Sequence, residues 1–355
     1  MMTFADIGSY YVRYYVLWAA ALAAVVVALW IFRRRLPARV RLIAGLIVGC
    51  LIARLVLFDN PFMLQAYQHG LSAESLGLRQ WGVLDLEIRK YRRNIHEPVL
   101  ANLAVGSSQV GAIFYQWDSP PPDPVGVYSL AGMKPLDMVL NADAIAAMHP
   151  ARVILYLSAF DMTGSPELFS LPLAPPQWRT IPAVYARLRA AGLTWAEIGP
   201  SFQRYLTSQF LPEYRYSFVY RALIREWFGA APRPAPAAGA RVPEFSSYFD
   251  PQWLEYNFSF LEDFLAFCSD SGIAVLVLEG QINPSAMTPA IAALNAGVRE
   301  RLLGYRARFG TFRYVPADAV YQFAADEYHD MTHVLPEAAR RYTRQLVLRG
   351  VLSSR

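Results

Sequence analysis

Residues 14–32 (YYVLWAAALAAVVVALWIF) form an uncharged run of 19 residues closed by Arg13 and Arg33. Wound as a helix at about 1.5 Å per residue, such a run reaches roughly 28 Å, close to the hydrocarbon thickness of a bilayer. Trp18, Trp30 and the tyrosines at 10, 11, 14 and 15 stand near its ends, where interfacial aromatics collect. A secretory signal peptide is the competing reading. It needs a charged segment first and a small-residue cleavage site after, whereas here the positive cluster follows the apolar run and no such site is evident. A retained anchor is therefore expected.

A second apolar run, 42–58, covers 17 residues, or about 25 Å as a helix. Arg54 lies one turn from its end, close enough to snorkel to the interface. A second span and a re-entrant or surface-lying helix both fit this stretch. Between the runs stands RRRLPARVR (33–41), with five arginines and a proline. The positive-inside rule places this short loop in the cytoplasm and both chain ends outside it. Residues 1–60 thus read as a membrane anchor, 61–96 as a connecting segment, and 97–355 as a domain on the periplasmic side of the inner membrane.

The net charge of +5 is confined to that anchor. Seven of the 33 basic residues and two of the 28 acidic ones fall in residues 1–60, which leaves 26 of each sign in the other 295 residues. A domain with no net charge has no global attraction for polyanions, so nucleic-acid binding is set aside. Cys50 and Cys268 supply neither a disulfide framework nor a zinc spacing.

In the outer domain, short apolar runs at 99–105, 126–130, 153–157, 273–278 and 312–315 are bounded by turn residues. Helical patterns cover 136–148, 253–269, 289–309 and 336–349. Unalternated strands separated by helices predict an α/β domain built on a doubly wound parallel sheet covered on both faces. Its sites are expected at the carboxyl ends of the strands. Residues 162–250 interrupt the pattern with aromatic-rich sequence (Phe202, Tyr205, Phe210, Tyr214, Tyr216, Phe218, Tyr220, Trp227, Phe228) and a Pro/Ala-rich linker. Core packing, a lid and a docking face all suit those aromatics.

Two motifs carry chemistry. Gly106-Ser107-Ser108-Gln109 directly follows the first strand, where a glycine turn presents a hydroxyl above the sheet and the N–H groups of the next helix face a developing oxyanion. A serine here also suits plain helix capping. Asp330-Met331-Thr332-His333 comes 222 residues after Ser108, just before the helix opened by Pro336. A carboxylate three residues before a histidine can orient it as a base; local packing of the imidazole is the bland reading. His329 and His333, four apart, invite a metal reading, but H-E-x-x-H is missing and Pro336 starts the helix after them, so no metal is expected. Gln281 and Asn283, after the fourth strand, are candidates for substrate contact or for stabilising their own turn.

In this order and on this fold, the two motifs resemble the SGNH/GDSL hydrolase superfamily over roughly residues 97–350. The resemblance implies a flavodoxin-like sheet, Ser108 as nucleophile, His333 as base and Asp330 as its orienting group. It also implies oxyanion donors from the backbone at Gly106–Ser108 and from Gly132. In the block where the family carries G-x-N-D this chain reads Ser158-Ala159-Phe160-Asp161, so the asparagine donor is absent and the Ser158 hydroxyl becomes the candidate replacement. Losing one such donor typically costs on the order of 10²–10³ in rate. A membrane-tethered domain with GSS for GDS looks most like the DltD-like and alginate O-acetylation branch. That implies an O-acyltransferase working beside a membrane-bound O-acyltransferase (MBOAT) partner on a glycan or other envelope polymer, without a cofactor. An esterase with the same site and a non-catalytic SGNH-fold scaffold are the alternatives.

Overall fold

In the computed structural model the described residues are 37–53, 101–118, 121–130, 132–146, 148–164, 180–190, 192–210 and 249–352, with isolated positions at 23–35, 66–67 and 224. Helix α1, Ala38–Ala53, opens where the Pro37 carbonyl accepts the Arg41 N–H at 3.1 Å. It therefore begins four residues before the expected 42 and takes Arg39 and Arg41 out of the supposed loop. From residue 42 onward it carries no charge, and Leu42, Ile43, Leu46, Ile47 and Ile52 are all exposed, so the helix is apolar on every side. At 16 residues it is about 24 Å long. Among the described residues no helix is long and apolar enough to cross a membrane. Positions 23–24, 26–27 and 30–31 are helical and exposed, while the rest of 14–32, all of 54–58 and nearly all of 61–96 lie outside the described residues.

Five short strands follow: β1 Asn102–Gly106, β2 Val125–Ser129, β3 Arg152–Leu157, β4 Ala274–Glu279 and β5 Phe312–Val315. They pair in parallel throughout, in the order β2-β1-β3-β4-β5. Parallel neighbours need crossovers, and helices supply them on both faces. On one face, Leu103, Val105, Val153, Leu155, Leu157, Val275 and Val277 join a core with helices α3 Pro135–Leu140, α4 Ala142–Ala146, α8 Leu254–Asp270 and α9 Pro289–Arg308. On the other, Ala104, Val127, Ile154, Tyr156, Leu276, Leu278 and Val315 meet α2 Ser108–Phe114 and α10 Pro336–Leu348. Alternate residues of each strand thus enter opposite cores, which is why the sequence shows unbroken apolar runs rather than period-two alternation. The helix expected at 136–148 is two short helices, with Asn141 between them donating its side-chain amide to the Asp137 carbonyl at 2.7 Å.

Within the aromatic insertion the described part is a helix pair, α6 Thr180–Ala190 and α7 Trp195–Phe210. Val184, Tyr185, Leu188 and Ile198 pack on Leu136, Leu140 and Phe260, and Phe202 lies edge-on to Tyr185 at 4.9 Å. For Phe202 the core reading holds; residues 211–223 and 225–248, with the Pro/Ala linker, lie outside the described residues.

The sheet order changes direction between β1 and β3, since β1 connects outward to β2 and β3 lies on its other side. In such sheets the crevice at the carboxyl ends of the two diverging strands is where sites form. Gly106-Ser107-Ser108 leaves β1 there, and Ser158-Ala159-Phe160-Asp161 leaves β3, opening α5 Ala159–Thr163.

Candidate active site

Gly106 closes β1 with φ +156°, and a Cβ placed there would meet Cγ2 of buried Val110 at 2.6 Å. Only glycine lets the chain turn so sharply from strand into α2. Ser107 follows in extended geometry, its carbonyl held by the Val110 N–H at 3.0 Å and the Ser129 hydroxyl at 2.8 Å. The turn leaves Ser108 half-buried between two buried neighbours, Ser107 and Gln109. Of Gly106 to Gln109, only Ser108 is partly exposed.

The second half of the site stands on a small hairpin. The Leu335 N–H donates to the Glu327 carbonyl at 2.8 Å, Tyr328 and Val334 form an antiparallel bridge, and the His329 N–H donates to the His333 carbonyl at 2.8 Å. These bonds pinch residues 330–333 into a tight turn. One oxygen of Asp330 (Oδ1) accepts the N–H groups of Thr332 and His333, both at 2.8 Å. The other (Oδ2) lies 2.8 Å from His333 Nδ1, and His333 Nε2 lies 2.7 Å from Ser108 Oγ. A hydroxyl, an imidazole and a carboxylate thus form one continuous path.

Burial by itself would raise the Asp330 carboxyl; the hydrogen bond and charge of His333 and the two turn N–H groups outweigh it and hold it at about 2. An ionised carboxylate accepts only, so Nδ1 carries the proton and Nε2 is left to accept from Ser108. That is the tautomer a general base needs.

Other predicted residues land differently. The Ser158 hydroxyl donates to Asp161 Oδ2 at 2.8 Å, and the Ser158 N–H reaches the same oxygen at 2.9 Å. Its proton is committed to Asp161, so the Ser158 hydroxyl is not free to donate to an oxyanion. Gln281 and Asn283 do not join the Ser108–His333–Asp330 path either. The Gln281 amide donates to the Tyr321 carbonyl at 2.8 Å and accepts the Phe323 N–H at 3.1 Å, and the Asn283 amide donates to the Asp330 carbonyl at 3.2 Å. Of the two expectations for these residues, the structure shows the turn-holding one: Asn283 Oδ1 also accepts the Ser285 N–H at 3.0 Å and the Ser285 hydroxyl at 2.6 Å. Gly132 lies in the exposed turn after β2 with φ +71°, close in sequence to Ser129, the register partner of Gly106. His329 is exposed, and no group of three metal-capable side chains occurs among the described residues.

Sequence reasoning missed two contributors. Gln109, 1 % exposed, aims its amide at both oxygens of Asp161, 1 % exposed, at 3.4 Å each, a long contact that ties the start of α2 to α5. Glu327 grips the base of the hairpin, accepting from the Tyr321 hydroxyl at 2.7 Å and the Ala324 N–H at 2.8 Å, and pairing with Arg341 of α10. Gln109 sits in the nucleophile block, so its adjacency was a signal; nothing local singles out Glu327.

No family model matches the chain, and no curated protein matches it. The functional reading rests on this geometry and on the resemblance of the two motifs.

Proposed function

We propose that the chain is a membrane-anchored SGNH-type O-acyltransferase, acting on the periplasmic side of the inner membrane on a hydroxyl of a cell-envelope polymer. One observation carries the reading: the unbroken path from Ser108 Oγ through His333 to Asp330, with steps of 2.7 and 2.8 Å, between residues more than 220 positions apart in the chain.

In the first half-reaction His333 Nε2 takes the Ser108 proton while Oγ attacks the carbonyl carbon of an acyl donor. The oxyanion that forms is stabilised by backbone N–H groups at the start of α2 and in the Gly132 turn, since no side-chain amide is offered at residue 160. The donor C–O bond breaks, its oxygen takes the proton from His333, and a Ser108 ester remains. In the second half a glycan hydroxyl gives its proton to His333 as its oxygen attacks the ester, and His333 passes that proton to Ser108 Oγ as the ester bond to the serine breaks. Asp330 stays ionised and steadies the imidazolium in both halves.

The anchor supports transfer over simple hydrolysis, because an enzyme loaded by an MBOAT-type partner at the membrane has a use for two apolar segments and a soluble-product hydrolase has none. The runner-up is an anchored esterase. It is favoured by the side-chain exposure of His333 (33 %) and Asp330 (36 %) among the described residues, which lets water reach the site.

The test uses the full chain in detergent with a serine-directed fluorophosphonate and p-nitrophenyl acetate. The expected result is a covalent adduct on Ser108, its loss in Ser108→Ala, and acetyl appearing on added oligosaccharide. Acetate released only to water supports the esterase. A folded wild-type protein that takes no label overturns the enzyme and leaves the scaffold.

A further inference from the structure

His333 hangs on a hairpin that belongs to no strand of the sheet, yet it meets the hydroxyl that opens α2, two residues past β1, at 2.7 Å. Besides the core packing of Tyr328 and Val334 and the Glu327 pairing with α10, the residues after β4 tie that hairpin to the sheet. Gly280 lies so close to the end of β3 that an added Cβ would meet the Leu157 carbonyl carbon and the Ser158 nitrogen at 2.7 Å. Its N–H donates to the Leu157 carbonyl at 2.6 Å, and the Gln281 N–H donates to the Tyr156 hydroxyl at 2.9 Å. This end of the segment is registered on β3, which is hydrogen-bonded to β1.

The other end holds the hairpin. The Asn283 N–H donates to the Met331 carbonyl at 2.8 Å, and its side-chain Nδ2 donates to the Asp330 carbonyl at 3.2 Å. Its Oδ1 turns back to accept the Ser285 N–H at 3.0 Å and the Ser285 hydroxyl at 2.6 Å, which locks the amide in that orientation. Gln281 meanwhile holds Tyr321 and Phe323, on the approach to the same hairpin. The route from Ser108 to His333 therefore runs β1, β3, Gly280, Asn283, Asp330, each step hydrogen-bonded to the next or continuous along the chain.

We infer that Asn283 is a positioning residue for the proposed acyl transfer, setting the distance between the His333–Asp330 pair and Ser108 through the backbone of Asp330 and Met331. The inference rests on the proposed use of that path. A drift of about 1 Å would carry Nε2 and Oγ beyond hydrogen-bonding reach, and misplacements of that size cost on the order of 10²-fold in rate. Because the Asn283 amide is occupied by protein backbone and Ser285, its loss falls on kcat rather than on substrate affinity.

The decisive variant is Asn283→Asp, which keeps both the Oδ1 acceptor for Ser285 and its own N–H for Met331 but replaces the Nδ2 donor with a carboxylate oxygen that repels the Asp330 carbonyl. Asn283→Ala, which also breaks the Ser285 turn, is its harsher companion. Kinetics with p-nitrophenyl acetate are read beside the downfield Nδ1–H proton resonance of His333 in the free protein and the thermal midpoint. The expected result for Asn283→Asp is a kcat lower by about 10- to 100-fold, a KM within about two-fold of wild type, and a weakened downfield resonance, in a protein whose midpoint is lowered but that stays folded at the assay temperature. A raised KM with kcat intact would overturn the inference in favour of substrate contact, and an unchanged resonance with unchanged kcat would overturn it outright. Wild-type protein that keeps the resonance but takes no phosphonate label would refute the acyl-transfer reading instead, so the two failures are told apart.

Discussion

Replacing Asp330 with asparagine changes one atom and, by the geometry, inverts the proton inventory of the site. The Asp330 carboxylate accepts two turn N–H groups on Oδ1 at 2.8 Å each and faces His333 Nδ1 with Oδ2 at 2.8 Å. An asparagine has one oxygen to place. Put on the turn, it keeps two hydrogen bonds and presents its NH₂ to Nδ1; put on the imidazole, it confronts two N–H donors with a third. Leaving two partly buried donors unsatisfied costs about 1–3 kcal/mol each, against one hydrogen bond kept, so the oxygen stays on the turn. The imidazole must then accept at Nδ1 and carry its proton on Nε2, pointing at Ser108. That nitrogen can no longer take the hydroxyl proton. The same tautomer error in a serine protease costs about 10⁴ in turnover, roughly 5.4 kcal/mol of barrier, and a loss of that order is expected here.

The assay is the rate of Ser108 acylation by p-nitrophenyl acetate together with fluorophosphonate labelling, with Asp330→Ala for comparison. Alanine leaves the tautomer free, so Asp330→Asn should be at least as slow as Asp330→Ala while keeping the turn better folded. Asparagine activity within about ten-fold of wild type would refute the argument, because the orientation imposed by the turn would then not govern the imidazole. The stability penalty also has a sign. The folded-state carboxyl is depressed to about 2, so its contribution is complete above the unfolded-state range near 4 and is lost as the pH falls toward 2. The difference in unfolding midpoint between wild type and Asp330→Asn should therefore narrow across that window.

Gly106→Ala forces a side chain into φ +156° and onto Val110 Cγ2 at 2.6 Å, in a packed core. It should cost about 1–3 kcal/mol by chemical denaturation and, because Ser108 is two residues away, depress acylation by more than the stability loss explains. Tyr342 is fully buried in α10, stacked on Phe323 at 5.3 Å and edge-on to Tyr156 at 6.1 Å. Tyr342→Ala should cost about 3–5 kcal/mol in the same measurement, and a smaller change would mean that α10 is not the lid of that core.

Strands and the longer helices were legible because their signals are local. The run at 312–315 is β5 as expected, and the pattern at 289–309 is α9, whose Thr288 cap accepts the Ile291 N–H at 3.2 Å and whose first turn carries Pro289. The split at Asn141 was not legible, because it depends on a side chain choosing the backbone over solvent. Nor was the hairpin at 327–335. Asp330 is a turn residue, but nothing local pairs Tyr328 with Val334, and the groups that hold the hairpin, Asn283, Tyr321 and Arg341, come from elsewhere in the chain.

By itself the sequence determined the α/β class, the approximate strand positions, and the pair of motifs in which a nucleophile and a base were to be sought. All of these follow from spacing along the chain, whether apolar runs, a glycine at a strand end, or a carboxylate three residues before a histidine. Only the tertiary structure decided which polar atoms were still free to act. Ser158 was a plausible donor until Asp161 claimed its proton, and of the two roles open to Gln281 and Asn283 the structure shows them holding turns and backbone around the hairpin. Every buried polar group needs a partner, and competition for partners is settled by atoms that lie close in space and far apart in sequence.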